Sequence, residues 1–151
     1  MSGPTSPQPS GEGLVIVRGN ADGFAQDITA GAHHLRSDEP ASAGGTNTGP
    51  TPYDLLLAAL GSCTSMTLAM YARRKQWPLL RVTVRLRHSR AHAEDCAACE
   101  TQDAMLTIIE REVELDGALD DDQRARLLAI ANRCPVHLTL NSRFDIRTRL
   151  T

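Results

Sequence analysis

The chain has 151 residues, enough for one domain with a hydrophobic core, and its formal net charge is −2 at pH 7. This charge indicates neither a nucleic-acid partner nor an anionic membrane surface, and aromatic residues, at 3% of the chain, are too few for base stacking.

The first part of the chain predicts a tail followed by short strands. Residues 1–12 are rich in Pro, Ser and Gly and lack the basic start and apolar stretch of a signal peptide, so we expect a disordered tail and a cytoplasmic location. No apolar run is long enough to span a bilayer, so we expect no membrane span. Residues 14–17, 24–29 and 31–37 are predicted strands, and residues 38–50 form a loop.

The longest predicted helix begins after that loop. Thr51 suits the N-cap, Pro52 the first turn and Asp54 the reciprocal capping position. The helix should run to about Lys75, and it is apolar on nearly every side, which is typical of a central, buried helix.

The remaining elements complete an α+β order. Residues 81–87 alternate Val and Leu with Arg and Thr, while residues 109–115 carry glutamates on one parity, which predicts antiparallel neighbours with paired outward charges. A helix should follow over about residues 121–133, a short helix from Pro135, and a closing strand over residues 144–149.

Two of the four cysteines occupy positions where a fold can tune a thiol. Cys63 lies in the apolar helix, and Cys134 precedes Pro135 at a helix start, whose free N–H groups and positive dipole end favour a thiolate. A thiolate that attacks a peroxide becomes a sulfenic acid, and a second thiol can condense with it to a disulfide. Each cysteine could equally be a small buried apolar side chain.

The other two cysteines form a CxxC motif in the loop between the two charged strands. His92, Cys96 and Cys99 could supply three zinc ligands, with His88 or a carboxylate as the fourth, or the cysteines could form a dithiol relay. Because zinc knuckles usually carry a second CxxC, we favour an exposed loop and predict neither a bound metal nor a cofactor.

Two segments carry a family resemblance. Residues 49–67 (GPTPYDLLLAALGSCTSMT) resemble the central-helix signature of the OsmC/Ohr family, in the branch whose helix opens Gly-Pro-Thr-Pro, and residues 133–137 (RCPVH) resemble its second-cysteine motif. The resemblance covers about residues 13–150 and implies that residues 13–151 form one OsmC-like domain. It also implies an intertwined homodimer whose long central helices pack against antiparallel sheets.

The resemblance further implies roles for individual residues. Cys63 matches the cysteine that attacks the peroxide, and Cys134 the cysteine that resolves it. The activating arginine of the family comes from the N-terminal strands, where Arg36 is preferred to Arg18. The best-known branches carry a glutamate ten residues before the reactive cysteine; here that position is Tyr53, and the nearest acid, Asp54, is the candidate for the role of that glutamate.

The function implied is a thiol peroxidase that reduces organic hydroperoxides and is recycled by a dithiol reductant. An apolar pocket beside Cys63, lined by Leu60, Met66 or residues of the partner chain, would favour alkyl hydroperoxides over hydrogen peroxide. The alternatives are a non-catalytic protein that binds a small apolar ligand at the dimer pocket, and a redox- or metal-sensing module centred on Cys96 and Cys99.

Overall fold

The computed structural model describes residues 13–92 and 105–151, apart from the side chains of residues 91, 92, 105 and 106. It is an α+β structure, as predicted. Its elements in chain order are β1 (Val15–Gly19), β2 (Gln26–Ala30), β3 (His33–Ser37), a 3₁₀ turn (Ala41–Ala43), α1 (Pro52–Lys75), β4 (Leu79–His92), β5 (Met105–Gly117), α2 (Asp121–Ala131) and α3 (Pro135–Leu140).

The chain divides into two compact units, with the boundary between Leu55 and Leu56. The first unit contains an antiparallel sheet in the order β1-β2-β3, so the three predicted strands are confirmed. The loop after β3 is closed at its base, because the Asp38 N–H donates to the Pro50 carbonyl at 3.1 Å. This loop leads directly into α1.

The core of the second unit lies between α1, α2 and one face of the β4–β5 hairpin. Leu68 and Ala72 of α1 and Leu127 and Ile130 of α2 are buried together. Partly buried side chains of the hairpin pack against them, namely Leu79, Val82, Val113 and Leu115. Helix α1 approaches the hairpin closely at Gly61, where an added Cβ would lie 2.8 Å from Leu86 Cδ1.

The outward face of the hairpin carries the predicted charge pairs. Arg85 Nη1 lies 2.7 Å from Glu114 Oε2, and Arg87 contacts Glu110 at 2.8 Å and Glu112 at 3.1 Å. These side chains are more than half exposed, so each pair adds little stability. Their main effect is to favour the observed antiparallel register of β4 and β5, in which Arg87 lies opposite Glu110.

Helix α1 is confirmed as the longest helix, but only one stripe of it is buried by this chain. The buried positions recur every three or four residues, at Leu57, Leu60, Gly61, Thr64, Leu68 and Ala72. Met66 and Met70, on another side of the helix, are 71% and 54% exposed. The other sides of α1, which the sequence led us to expect to be buried, are therefore not covered by this chain alone.

Length and composition alone would allow α1 to cross a membrane, since an 18-residue stretch of it has a mean hydropathy of 1.5. This differs from our expectation that no apolar run is long enough. A buried helix of a water-soluble protein passes the same test, and a third of the stretch is buried here. The length and hydropathy of α1 are thus only weak evidence for a membrane span.

The predicted closing strand over residues 144–149 is wrong, because residues 143–151 adopt no regular secondary structure. Phe144 and Ile146 are 59% and 83% exposed. A strand needs a neighbouring strand to receive its backbone hydrogen bonds, and within the described residues this segment pairs with none.

Candidate active site

Cys134 occupies the N-cap of α3, as the sequence predicts. Its backbone is extended, Pro135 begins the helix, and the His137 N–H donates to Cys134 Sγ at 3.3 Å. Cys134 has no exposed surface, whereas Cys63 is partly buried. The sequence led us to expect Cys63 to be the dry thiol, and the structure assigns complete burial to Cys134 instead.

The fold brings the two cysteines together, and both are free thiols. Cys63 lies close enough to Cys134 to lower the pKa of its thiol. Thr64, the next residue of α1, places its Oγ1 3.7 Å from Cys134 Sγ and donates its hydroxyl to the Leu60 carbonyl at 2.7 Å. The pair therefore forms where the middle of α1 meets the start of α3.

Arg111 of β5 is the charged residue at this point, and sequence reasoning did not find it. Its Nη1 donates to Thr64 Oγ1 at 3.0 Å, and its Nη2 donates to Asn132 Oδ1 at 2.9 Å. None of the ion pairs found among the described residues involves Arg111. Its positive charge thus faces the thiols without a carboxylate to neutralise it.

The surroundings lower the pKa of the Cys134 thiol. Burial alone raises the pKa, since it disfavours the charged form, but four other contributions outweigh it. They are the hydrogen bond from the His137 N–H, those from the Thr64 hydroxyl and the Cys63 side chain, and the positive charge of Arg111. These contacts favour the thiolate of Cys134 more than burial in an apolar core would.

A cleft of about 450 Å³ lies beside Arg111. Its apolar wall comes from Leu60, Ile109, Val113, Leu128 and Leu140, and its polar wall from Thr107, Arg111, Asn132, His137 and Asn141. Leu60 was predicted to line such a pocket, but Met66 does not line this one. Neither sulfur reaches the cleft surface, and Arg111 connects the cleft to Thr64.

Arg36 and Asp54, the two other predicted site residues, belong to the first unit. Arg36 lies on β3, where its Nε is 3.6 Å from Asp27 Oδ1. Asp54 forms a reciprocal cap with Thr51: the Thr51 N–H donates to Asp54 Oδ2 at 2.9 Å, and the Asp54 N–H donates to Thr51 Oγ1 at 3.2 Å. Their catalytic roles stay predictions.

The CxxC motif lies outside the described residues, as does the side chain of His92, so the three hypotheses for Cys96 and Cys99 stay open. Among the side chains that the structure describes, no group of three His, Cys, Asp or Glu residues could hold a metal ion.

The family model for OsmC-like proteins matches residues 45–149, which include α1, both charged strands, α2 and α3. The chain belongs to the OsmC-like family. The match contains both cysteines of the pair and Arg111. No curated protein sequence matches the chain significantly.

Solved structures of the family share the fold of this OsmC-like protein. An OsmC-like protein from Mycoplasma pneumoniae has a TM-score of 0.67 at 18% identity, over 85% of this chain and 86% of that one. The organic hydroperoxide resistance protein OsmC of Legionella pneumophila has a TM-score of 0.61 at 19% identity, over 84% of this chain and 87% of that one. The organic hydroperoxide resistance protein OhrB of Bacillus subtilis has a TM-score of 0.58 at 22% identity, over 83% of this chain and 87% of that one.

Proposed function

We propose that this OsmC-like protein is a thiol-dependent peroxidase that reduces organic hydroperoxides through Cys63 and Cys134. The observation that carries the proposal is the proximity of these two thiols, which are far apart in the sequence: Cys63 lowers the pKa of Cys134, and Thr64, the next residue of α1, places its Oγ1 3.7 Å from Cys134 Sγ. Structures of the same fold include proteins named for organic hydroperoxide resistance, which supports this reading of the pair.

Exposure favours a division of labour between the thiols. The sulfur that reacts with a peroxide has to meet it, and Cys63 retains some accessible surface whereas Cys134 has none. Cys63 is therefore the better candidate for attack on the substrate. Cys134, buried and in contact with Cys63, is the better candidate for closing the disulfide.

The proposed reaction oxidises two thiols and reduces one peroxide. The Cys63 thiolate attacks the terminal peroxide oxygen, the O–O bond breaks, and the alkoxide takes up a proton to leave as an alcohol. Cys63 is left as a sulfenic acid. Cys134 then attacks its sulfur, hydroxide leaves and is protonated to water, and an external dithiol reduces the disulfide. No metal or organic cofactor takes part in these steps.

The cleft beside Arg111 gives the substrate preference that we propose. Five of its ten lining residues are aliphatic, so a hydroperoxide that binds there on its way to Cys63 should be an alkyl or aryl hydroperoxide rather than hydrogen peroxide. The cleft volume of about 450 Å³ is within the range of sites for small organic molecules.

Peroxide consumption by cysteine variants tests the function. With a dithiol reductant, the wild-type protein should consume cumene hydroperoxide faster than hydrogen peroxide, and Cys63→Ser should abolish turnover. Without reductant, Cys134→Ser should reduce about one equivalent of peroxide and then stop, with a sulfenic acid at Cys63 as the product. Cys96→Ser/Cys99→Ser is the matched control, since it removes two thiols outside the pair.

The same assay distinguishes the peroxidase function from the alternative of a non-catalytic binding protein. Unchanged consumption by Cys63→Ser would overturn the peroxidase function. It would favour a non-catalytic protein that holds a small apolar ligand, an interpretation that Tyr53 supports because the glutamate of the best-known branches is absent there.

A further inference from the structure

We propose that Arg111, acting through Thr64, is a positioning residue that keeps Cys134 as a thiolate, and that this thiolate is the nucleophile that closes the Cys63–Cys134 disulfide. The inference rests on the proposed peroxidase function and adds to it a residue for the second chemical step. Arg111 on β5 would act on Cys134, whereas the arginine from the N-terminal strands that the family resemblance implies would act on Cys63.

The position of Arg111 on its strand is the first argument. Ile109, Val113 and Leu115 share its parity and face the cleft or the core, whereas the intervening glutamates face outward and pair with Arg85 and Arg87. A guanidinium on the inward face loses part of its hydration, so it needs acceptors and a counter-charge. Thr64 and Asn132 are the acceptors, and no carboxylate supplies the counter-charge within the described residues. A Cys134 thiolate would supply it.

The hydrogen bonds of Thr64 allow such a thiolate to form. The Thr64 hydroxyl has one proton, which it donates to the Leu60 carbonyl at 2.7 Å, while its oxygen accepts from Arg111 at 3.0 Å. When Cys134 loses its proton, the hydroxyl can turn and donate to the sulfur 3.7 Å away. Leu60 loses nothing essential, because its carbonyl still accepts the helical N–H of Thr64.

The other groups that contact Cys134 also favour its thiolate. Among the described residues, the charged and titratable groups that act on it are Arg111 from β5 and Cys63 from α1, and the backbone N–H of His137 donates to the sulfur. The pKa of Cys134 is accordingly lowered in spite of its burial. A thiolate at this position receives a backbone N–H, a hydroxyl and a nearby positive charge.

A thiolate at Cys134 serves both steps in which this residue takes part. In disulfide closure, Cys134 S⁻ attacks the sulfenic sulfur of Cys63, the S–S bond forms as the S–O bond breaks, and hydroxide leaves. In reduction, a dithiol attacks the more exposed sulfur, that of Cys63, and Cys134 is expelled as a stabilised thiolate. The second thiol of the reductant then releases Cys63.

A titration that does not depend on peroxide tests the Arg111 assignment. Cys134 is left as the sole thiol by Cys63→Ser/Cys96→Ser/Cys99→Ser, and its ionisation is followed by the ultraviolet absorbance of the thiolate. Adding Arg111→Gln should raise the midpoint by about one pH unit, and Thr64→Val should raise it in the same direction. An unchanged midpoint in both variants would overturn the proposal.

Two matched variants separate the charge from a structural effect. Arg85→Gln makes the same change on the outward face of the same hairpin and should leave the midpoint unchanged. Arg111→Lys keeps the charge and should hold the midpoint closer to that of the wild type. If Arg111→Gln fails to fold, Thr64→Val, which preserves the size of the buried side chain, decides the question in its place.

Single-turnover kinetics test the assigned step. After mixing with cumene hydroperoxide, Arg111→Gln should form sulfenic acid, trapped with dimedone, at close to the wild-type rate but close the disulfide about threefold to tenfold more slowly. Equal slowing of both steps would contradict a role in closure. Absence of peroxide consumption by the wild type would instead overturn the peroxidase function, while the titration would still report whether Arg111 acts on Cys134.

Discussion

Asp38 is the most heavily hydrogen-bonded carboxylate in the described part of the chain, and it organises the loop before α1. It is 1% exposed. Its Oδ2 accepts four bonds, from the N–H and hydroxyl of Thr46 at 3.3 and 2.6 Å and from those of Thr48 at 3.1 and 2.7 Å. The Glu39 N–H donates to Oδ1 at 2.8 Å. These bonds hold the pKa of Asp38 far below its usual value of 3.8.

The hydrogen bonds at Asp38 predict a specific loss of stability. Asp38→Asn replaces a charged acceptor of five hydrogen bonds by an amide, and it should lower the melting temperature by several degrees. Asp27→Asn, on an aspartate that is 78% exposed, should change it little. Thermal unfolding at neutral pH measures both variants, and equal melting temperatures would show that the loop does not depend on this carboxylate.

The pH dependence of the same variant has a definite sign. A carboxyl group whose pKa is lower in the folded state stabilises that state above its unfolded pKa, near 3.8, and loses this contribution as the pH falls towards its folded value. The difference in stability between the wild type and Asp38→Asn should therefore be full above about pH 5 and shrink in acid. Urea unfolding at several pH values measures it, and a difference that grows in acid would contradict the assignment.

Arg111 shows what the sequence can and cannot reveal about single residues. Cys63 and Cys134 are recognisable because their flanking residues form motifs. Arg111 belongs to no motif, and its signal is only an arginine at a position of apolar parity between Ile109 and Val113. Its partners are Thr64 of α1 and Asn132, the residue that follows α2, and alternation within one strand does not specify such tertiary contacts.

At the level of elements, Thr51 and Asp54 form the reciprocal cap that the sequence predicts for α1. Thr51→Ala should lower the free energy of unfolding by about 1 kcal/mol, because a backbone N–H at the helix start loses its acceptor. Asp54→Ala should lower the free energy of unfolding by a similar amount. Urea unfolding and peroxide consumption are measured on both variants.

Comparison of these two variants also tests the catalytic role predicted for Asp54. If Asp54 acts on the thiols, peroxide turnover should fall much further in Asp54→Ala than in Thr51→Ala at equal stability. Equal turnover in the two variants would leave Asp54 with a capping role alone.

The elements that could be predicted are those whose determinants are local. Thr51 and Asp120 mark the starts of α1 and α2, and the Arg and Glu alternation marks the register of β4 and β5. The segment over residues 144–149 has the alternation of a strand but pairs with no strand in the described chain. Alternation predicts the face that a strand would bury, whereas formation of the strand depends on a partner edge elsewhere.

At the scale of the whole molecule, the exposed apolar surface of α1 is larger than an isolated chain would keep in water. Met66 and Met70 lie one helical turn apart and are mostly exposed, and Phe144 and Ile146 leave further apolar surface uncovered. A membrane or a second protein chain could cover such a surface. The buried stripe of α1, with the polar Thr64 within it, is that of a helix packed in a protein core, which favours a second copy of this chain.

We therefore predict a homodimer in which the Met66 and Met70 side of α1 is covered by the partner subunit. The interface should bury about 2,000 Å² or more in total, as in obligate homodimers. Met66→Glu/Met70→Glu would place two charges in it and should yield monomers or insoluble protein, since an unpaired charge is costly to bury. Light scattering measures the mass, with Arg85→Gln as a soluble control. A monomeric wild-type protein at micromolar concentration would contradict the prediction. Full peroxidase activity in a monomeric variant would show instead that the cysteine pair works without the partner.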